Sequence, residues 1–462
     1  MLKKYIGDKA FYRFVLAIAV PIMLQNGITN FVNMLDNIMV GRIGTAAMTG
    51  VSVANLLIFV FTLCIFGAVS GVGIFGAQYY GKNDQQGLRY SLRFKIILSL
   101  VLTISGILLF QFFGDTLISQ YLKGEGSAEE IAKAFDSAKD YLRVMMLGFI
   151  PFAITQSYSS TLRETGETML PMKASIVAVI VNLCFNYVLI FGVAPLNIPA
   201  FGATGAAIAT VLSRFVEAGI VIIWTHSHKE KNPYIIGLFK SFVVPVSLSI
   251  NMLKKAVPLI LNETLWATGV AMLNQSYSTL GVDVVAANNI AETFWKLFSV
   301  VFIATGSAIA IIVGNMLGAG KLNEVMDTTR KLITFGVLTS VFMGGLYIIA
   351  SPFIPLLYNT EQNVRTLATG IMILSAIAMP FDSMAHSSYF TLRSGGKSLI
   401  TFIFDCGFMW CVSVPLAFVL SHYTNLSVLT VFAIVQVVYF IKGFLGLALV
   451  RKGDWIRNIV ND

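Results

Sequence analysis

The sequence predicts an all-α integral membrane protein of twelve transmembrane helices arranged as two similar halves. Three observations lead there. Of 462 residues, 56% are apolar and only 12% are charged, about half the charged share of a soluble domain. Uncharged runs cover residues 14–35, 43–81, 96–114, 144–162, 174–213, 264–282, 297–320, 332–360 and 406–441, and each reaches the roughly 17–25 residues that cross a bilayer as a helix. Finally, the chain repeats itself. Ala19-Val20-Pro21 recurs as Ala256-Val257-Pro258, 237 positions on, and at that spacing Gly44 meets Gly281, Gly81 meets Gly318 and Arg93 meets Arg330. Thr161-Leu162-Arg163 with Gly166 recurs 230 positions on as Thr391-Leu392-Arg393 with Gly396. Duplicated hydrophobic halves are the usual build of a secondary transporter.

A spanning segment must satisfy its own backbone hydrogen bonds, and these runs lack the polar–apolar alternation of barrel strands, so each is read as a helix. The first covers 14–35 and carries Pro21. The second, third and fourth cover 50–78, 91–113 and 139–160, the last bent by Pro151. The 174–213 run divides at the turn Asn197-Ile198-Pro199, giving 169–192 and 204–224. The second half begins at 252–277 with Pro258, followed by 287–315, 330–352 and 365–388 with Pro380. The 406–441 run divides at His422–Asn425, giving 398–420 and 426–449. Residues 1–224 therefore form an N-terminal lobe, 225–251 a linker and 252–462 a C-terminal lobe. Six spans per half keep both halves in the same orientation.

Net charge is +9, and its distribution is topological. Counted by connection, 24 Lys and Arg lie on one side and 6 on the other, with Arg214 and Lys296 inside spans. The positive-inside rule then makes both termini and the linker cytoplasmic. Nucleic acid is not implied as a partner; the bilayer is. The four cysteines fall inside spans, so no disulfide framework is implied. There is no metal-spaced His/Cys set, nucleophile elbow or P-loop, and only four histidines, which argues against an enzyme. A channel would want subunits repeated around an axis, so a monomeric two-lobed carrier is expected.

A carboxylate inside a span costs at least ~2.5–3.5 kcal/mol and is a functional candidate by default. On the first helix Gln25, Thr29, Asn33 and Asp36 share one face. A carboxylate there can exchange a proton for a cation, since burial favours the protonated form and a bound cation the ionised one; the alternative is a hydrated acid at the outer interface. In the seventh helix Glu263 follows Asn262, with Asn274 three turns further on that face. In the tenth, Asp382, His386 and Tyr389 share a face, an arrangement suited to Na⁺ or a proton relay, or to a local Asp382–His386 hydrogen bond. Asn182 and Asn186 present amides one turn apart. Arg214 with Glu217, and Glu292 with Lys296, have the spacing of intrahelical ion pairs. Asp405 is a weaker addition to the Asp382 group. No carboxylate is duplicated: Asp36 pairs with Leu273, Glu263 with Asn26, and Asp382 with Phe152 or Ala153.

These residues resemble the multidrug and toxic compound extrusion (MATE) transporters. The resemblance runs through Ala19-Val20-Pro21, Leu35-Asp36-Asn37-Ile38-Met39-Val40-Gly41-Arg42-Ile43-Gly44, Ala77-Gln78-Tyr79-Tyr80-Gly81, the stretch from Thr161-Leu162-Arg163 to Asn182-Leu183-Cys184-Phe185-Asn186, and Gly205–Thr210. It covers nearly the whole chain. It implies two six-helix lobes in a V around a central cavity, and export of cationic or amphipathic organic compounds in exchange for Na⁺ or H⁺, with no further cofactor. It places Asp36, Asn182, Asn186 and Thr210 in the N-terminal site and Asp382 in the C-terminal one. Asn186 stands where some members have Asp. The family's seventh-helix Glu falls on Trp266, with Glu263 one turn earlier as its substitute. Na⁺ is expected at Glu263, Asp382 or Asp36. A flippase for lipid-linked precursors, of related architecture, is the alternative; it would favour helices beyond twelve and a strongly cationic cavity.

Overall fold

The protein is described by a computed structural model covering residues 5–122, 127–193 and 198–461, without the side chains of Asn33, Met34, Asn37 and Ile38. The expected roles of Asn33, of Asn37-Ile38 in the first-helix motif and of Asn197 in a turn lie outside those descriptions. Among the described residues the fold is all-helical: α1 Lys9–Gly41, α2 Thr45–Gly81, α3 Gln85–Tyr121, α4 Ala128–Leu147, α5 Phe149–Glu164, α6 Met169–Phe191, α7 Gly202–Ser227, α8 Val246–Ser278, α9 Val282–Gly318, α10 Leu322–Ala350, α11 Gln362–Ser394, α12 Ser398–Phe402, α13 Val414–Tyr423 and α14 Val428–Lys452. Residues 403–407 and 409–413 wind as π-helical turns between α12 and α13. Eleven segments are long and apolar enough to cross a membrane, with α12 through α13 counted as one.

The fourth predicted helix differs most at its start and is split in two. It starts at Ala128 instead of 139 and breaks at Gly148 into α4 and α5. Its early start has a cause in a capping box: Ser127 Oγ accepts from the Glu130 amide at 3.3 Å, and Glu130 Oε2 accepts from the Ser127 amide at 3.2 Å. Glu129 and Glu130 also favour the positive end of the helix dipole. This first turn is polar, so hydropathy alone passes over it.

The chain divides into two compact units. One holds residues 24–76 and 85–253; the other holds 1–23, 77–84 and 254–462. Both α1 and α2 thus contribute to each unit, and α1 changes unit just after Pro21, which removes one rung of its hydrogen-bond ladder. In the first unit α6 packs on α7, and α3, α4 and α5 close the bundle. Its core gathers Ile65, Phe149, Ala153 and Ala207. In the second unit α11 is central, packed on α9, α10 and α14.

Within that second unit the end of α2 crosses α9 through small residues on both helices. A Cβ added at Gly81 would come within 2.0 Å of the Asn315 carbonyl oxygen, and one at Gly318 within 1.9 Å of the Gln78 carbonyl oxygen. Ala77 with Gly81, and Gly314 with Gly318, form the small-xxx-small pattern that lets helix backbones approach in lipid. Gly81 and Gly318 are equivalent positions of the repeat, so the two copies meet here at their own equivalent residues. We expect Gly318→Val to force the helices apart and to lower the detergent melting temperature; overpacking of this kind costs about 1–3 kcal/mol. An unchanged melting temperature would contradict the close crossing.

The C-terminal segment closes this unit. Trp455 is fully buried, Gln78 Nε2 donates to the Ser394 and Arg457 carbonyls at 3.0 and 3.2 Å, and the Ile459 amide donates to Gln78 Oε1 at 2.8 Å. In the other unit Arg93 clamps the linker, donating to the carbonyls of Gly237, Leu238 and Val243.

Candidate functional site

The structure draws the predicted polar residues into three networks, each confined to one unit. The first joins α1, α6 and α7. Asn186 Nδ2 donates to Asp36 Oδ1 at 2.6 Å and to Asn182 Oδ1 at 3.0 Å; Asn182 Nδ2 donates to Thr210 Oγ1 at 3.2 Å; Thr210 Oγ1 donates to the Ala206 carbonyl at 3.0 Å. Donation diverges from Asn186: one branch ends on the Asp36 carboxylate, the other runs through Asn182 and Thr210 to the Ala206 carbonyl. Asn182 and Asn186 are buried while the flanking Cys184, Phe185 and Tyr187 are exposed. The 3.6-residue period of α6 therefore aims its amides inward and its apolar groups outward. Tyr141 lies within electrostatic reach of both Asp36 and Arg214.

The second network lies three turns along the same two helices. Arg163 Nη2 donates to Gln25 Oε1 at 2.6 Å, Gln25 Nε2 donates to Ser175 Oγ at 2.6 Å, and Ser175 Oγ donates to Glu217. Gln25 meets Ser175 and Asp36 meets Asn186, so α1 and α6 run parallel with contacts about 16 Å apart. Gln25 and Asp36, the two ends of the predicted polar face of the first helix, thus serve different partners, and the exposed Thr29 between them donates to the Gln25 carbonyl. The expected Arg214–Glu217 ion pair does not form. Arg214 instead donates to the Gly148 carbonyl, which also accepts from the Phe152 amide, and lies over the Phe152 ring. The Glu292–Lys296 pair does form, at 3.3 Å.

The third network lies in the other unit and joins α8, α11, the π turns and α14. Tyr389 Oη donates to Glu263 Oε1 at 2.9 Å. Asn262 Nδ2 donates to Asp405 Oδ2 at 3.0 Å and to Tyr389 Oη at 3.4 Å. Lys442 Nζ donates to Asp405 Oδ1 at 2.6 Å. Asp382 lies within electrostatic range of Lys442, and Glu263 within range of Arg393. Glu263 and Tyr389 are joined directly, while Asp382 is linked to the cluster through the charge of Lys442. His386 does not serve Asp382: its Nε2 has no hydrogen-bond partner, and its ring packs on Phe302 and Phe390 and over Gly306. Asn274 lies apart too, accepting from Asn288 Nδ2 at 3.2 Å; three turns of helix, about 16 Å, separate it from Glu263.

Two buried ion pairs were not anticipated. Lys442 counts with the C-terminal cations by sequence, yet it is buried inside α14 and pairs with Asp405. Its place within the predicted 426–449 helix was the available signal. Lys95 counts as a loop cation, yet it is fully buried in α3 and bonded to both oxygens of Glu164, at 2.6 and 2.7 Å, and to Thr161 and Ser160 at 2.9 and 3.3 Å. Both charges border uncharged runs, where hydropathy cannot tell a loop from a helix end.

Residues 21–188 and 258–419 each match the family described as MatE. The two matches begin 237 positions apart, the spacing of the internal repeat. A probable multidrug resistance protein NorM of Thermotoga maritima is 26% identical over 452 residues, covering 96% of this chain and 93% of that protein. The multidrug resistance protein NorM of Vibrio vulnificus is 25% identical over 416 residues, 88% of this chain and 87% of that one. In fold, a crystal structure of a MATE in complex with MaL6 superposes with a TM-score of 0.86 at 18% identity over 97% of both chains. The outward-facing form of a multidrug resistance MATE transporter gives 0.84, also at 18% identity and 97% of each chain. The repeated match across both halves, joined to an all-helical fold of apolar spans, establishes that the chain belongs to the MatE family of membrane transporters.

Proposed function

We propose that this chain is a secondary antiporter that exports amphipathic or cationic organic compounds across the cell membrane in exchange for Na⁺ or H⁺. The observation that carries the reading is the row Asp36–Asn186–Asn182–Thr210, an acid that accepts from a buried amide inside apolar helices. Such a carboxylate must be neutralised by a proton or a cation, or remain as a costly ionised group. Asp36 is the coupling acid of the first network; Glu263 and Asp382 are those of the third. Asn182, Asn186, Thr210 and Tyr389 hold them in place.

The relatives' names support small organic drugs as the cargo. The lobes are residues 1–224 and 252–462, with the linker 225–251 and both termini cytoplasmic and the protein a monomer. The cation excess on the linker side survives the reassignment of Lys95 and Lys442 and supports that orientation. A flippase is not favoured: among the described residues there is no spanning helix beyond those already named.

The test is transport of a fluorescent organic cation in proteoliposomes, with Na⁺ and H⁺ gradients imposed separately. Accumulation driven by one of the gradients, and by no potential alone, is the expected result. Equal movement with and without either gradient would overturn antiport.

A further inference from the structure

Asp405 and Lys442 form a buried pair at the centre of the third network, and the chemistry of that centre is unusual for a cation site. A site for Na⁺ gathers oxygen lone pairs around an open position. Here both oxygens of Asp405 already accept: Oδ1 from the Lys442 ammonium at 2.6 Å, Oδ2 from the Asn262 amide at 3.0 Å. Glu263 accepts from Tyr389. The Lys442 side chain is 8% exposed and that of Asp405 18%. Lys442 also lies within electrostatic range of Asp382, and Arg393 within range of Glu263, so each of the three acids has a protein cation at hand. The Lys442 ammonium is held further by the Phe404 ring, 5.7 Å from its centroid.

The backbone is shaped to make this pair. Asp405 lies in the first of two successive π-helical turns, 403–407 and 409–413. Such turns are rare and concentrate at functional sites. The widened winding shifts the side-chain direction of the eleventh span, and Asp405 is the charged residue within it. The second turn is pinned by Trp410, whose Nε1 donates to the Leu265 carbonyl of α8 at 2.9 Å.

We propose that Lys442 is a tethered cation that occupies, through Asp405, the place a metal ion would take, and so makes the C-terminal cluster of this chain unresponsive to Na⁺. The inference rests on the antiport reading of these carboxylates, but its test is equilibrium binding and needs no transport. A resident ammonium repels a second cation at short range, and any Na⁺ entering must first displace a hydrogen-bonded charge from Asp405. Na⁺ dependence in this protein, if found, then belongs to Asp36.

The experiment measures the melting temperature of the full-length protein in detergent with NaCl against choline chloride at equal ionic strength. Asp36→Asn is the background throughout, which removes the first network's acid. In that background we expect no specific Na⁺ shift. Adding Lys442→Met frees the Asp405 carboxylate, and Na⁺ should then raise the melting temperature by roughly 5 °C; the further change Asp405→Asn should remove that gain. The proposal fails if the Asp36→Asn protein is already stabilised by Na⁺ and loses this on Asp405→Asn. It fails equally if folded Asp36→Asn/Lys442→Met gains nothing from Na⁺. Should Lys442→Met not fold, the first comparison decides alone. Transport under a Na⁺ or H⁺ gradient in the unaltered protein reports separately on antiport.

Discussion

Replacing Asp36 by asparagine is expected to uncouple transport from its driving ion while leaving the protein folded. The side chain keeps its size, and an amide can still accept the 2.6 Å bond from Asn186 Nδ2 through its oxygen. What disappears is the group that can be charged in one state and neutral in another. Coupling between an ion and a substrate is a free energy of about 1–3 kcal/mol, or about 5–150-fold in affinity, and it vanishes when one partner no longer binds differentially. Gradient-driven accumulation should therefore fall by at least an order of magnitude, with a melting temperature close to the parent's. The pair Asn182→Ala and Thr210→Ala tests the row beyond the acid. Each removes a positioning group and should weaken coupling less than Asp36→Asn. Full accumulation by Asp36→Asn would show that the first network is structural.

The largest effect on stability is expected at Lys95. Its ammonium has no exposed surface, and Glu164 is its buried partner at 2.6 Å. Removing one member of a buried pair leaves an uncompensated charge and costs about 3–5 kcal/mol. Lys95→Met should therefore lower the melting temperature sharply or abolish expression. Glu164→Leu alone should do the same by stranding Lys95. The double variant should recover most of the loss, since a well-packed apolar pair often equals a buried ion pair. The space limits the choice of replacement: Gly73 and Gly76 of α2 abut Glu164 so closely that an added Cβ would lie 2.6 and 2.0 Å from its carboxylate oxygens, so the apolar substitute must not exceed glutamate in size. A double-mutant cycle by thermal unfolding in detergent gives the coupling directly. Additive losses in the double variant would contradict a paired role.

Much of the fold is legible in the sequence because the bilayer allows so few solutions. Apolar runs of spanning length must be helices, and the 237-residue repeat fixes their pairing across halves. Gly44 and Gly281 illustrate how far the repeat reaches: both adopt positive φ, +142° and +135°, at the turn after the first helix of each half. Where a span begins in water, as α4 does, the signal passes from hydropathy to capping, and the Ser127–Glu130 box decides the start.

The site is legible where side chains share a helix face, and hidden where tertiary contacts cross between helices. Periodicity places Asn182 with Asn186, and Gln25 with Asp36, on shared helix faces. It could not say that Gln25 answers to Arg163 and Ser175 while Asp36 answers to Asn186. Spacing by four put His386 beside Asp382, but an aromatic wall of Phe302 and Phe390 takes the imidazole. Lys95 and Lys442 escaped because one residue at the edge of an uncharged run has equal claim to loop or helix; only its partner, Glu164 or Asp405, resolves the choice. Lys95 aligns with Leu332 and Glu164 with Ser394 in the second half. Those buried charges, like Asp36, Glu263 and Asp382, lie where the two copies differ.

The central claim is that these unduplicated carboxylates convert an ion gradient into uphill movement of an organic cation. The most direct measurement loads proteoliposomes with the triple variant Asp36→Asn/Glu263→Gln/Asp382→Asn and follows a fluorescent cation with and without the gradient that drives the parent. The variant is expected still to equilibrate the cation across the membrane but never to concentrate it. Accumulation above equilibrium by the triple variant would contradict a coupling role for these acids.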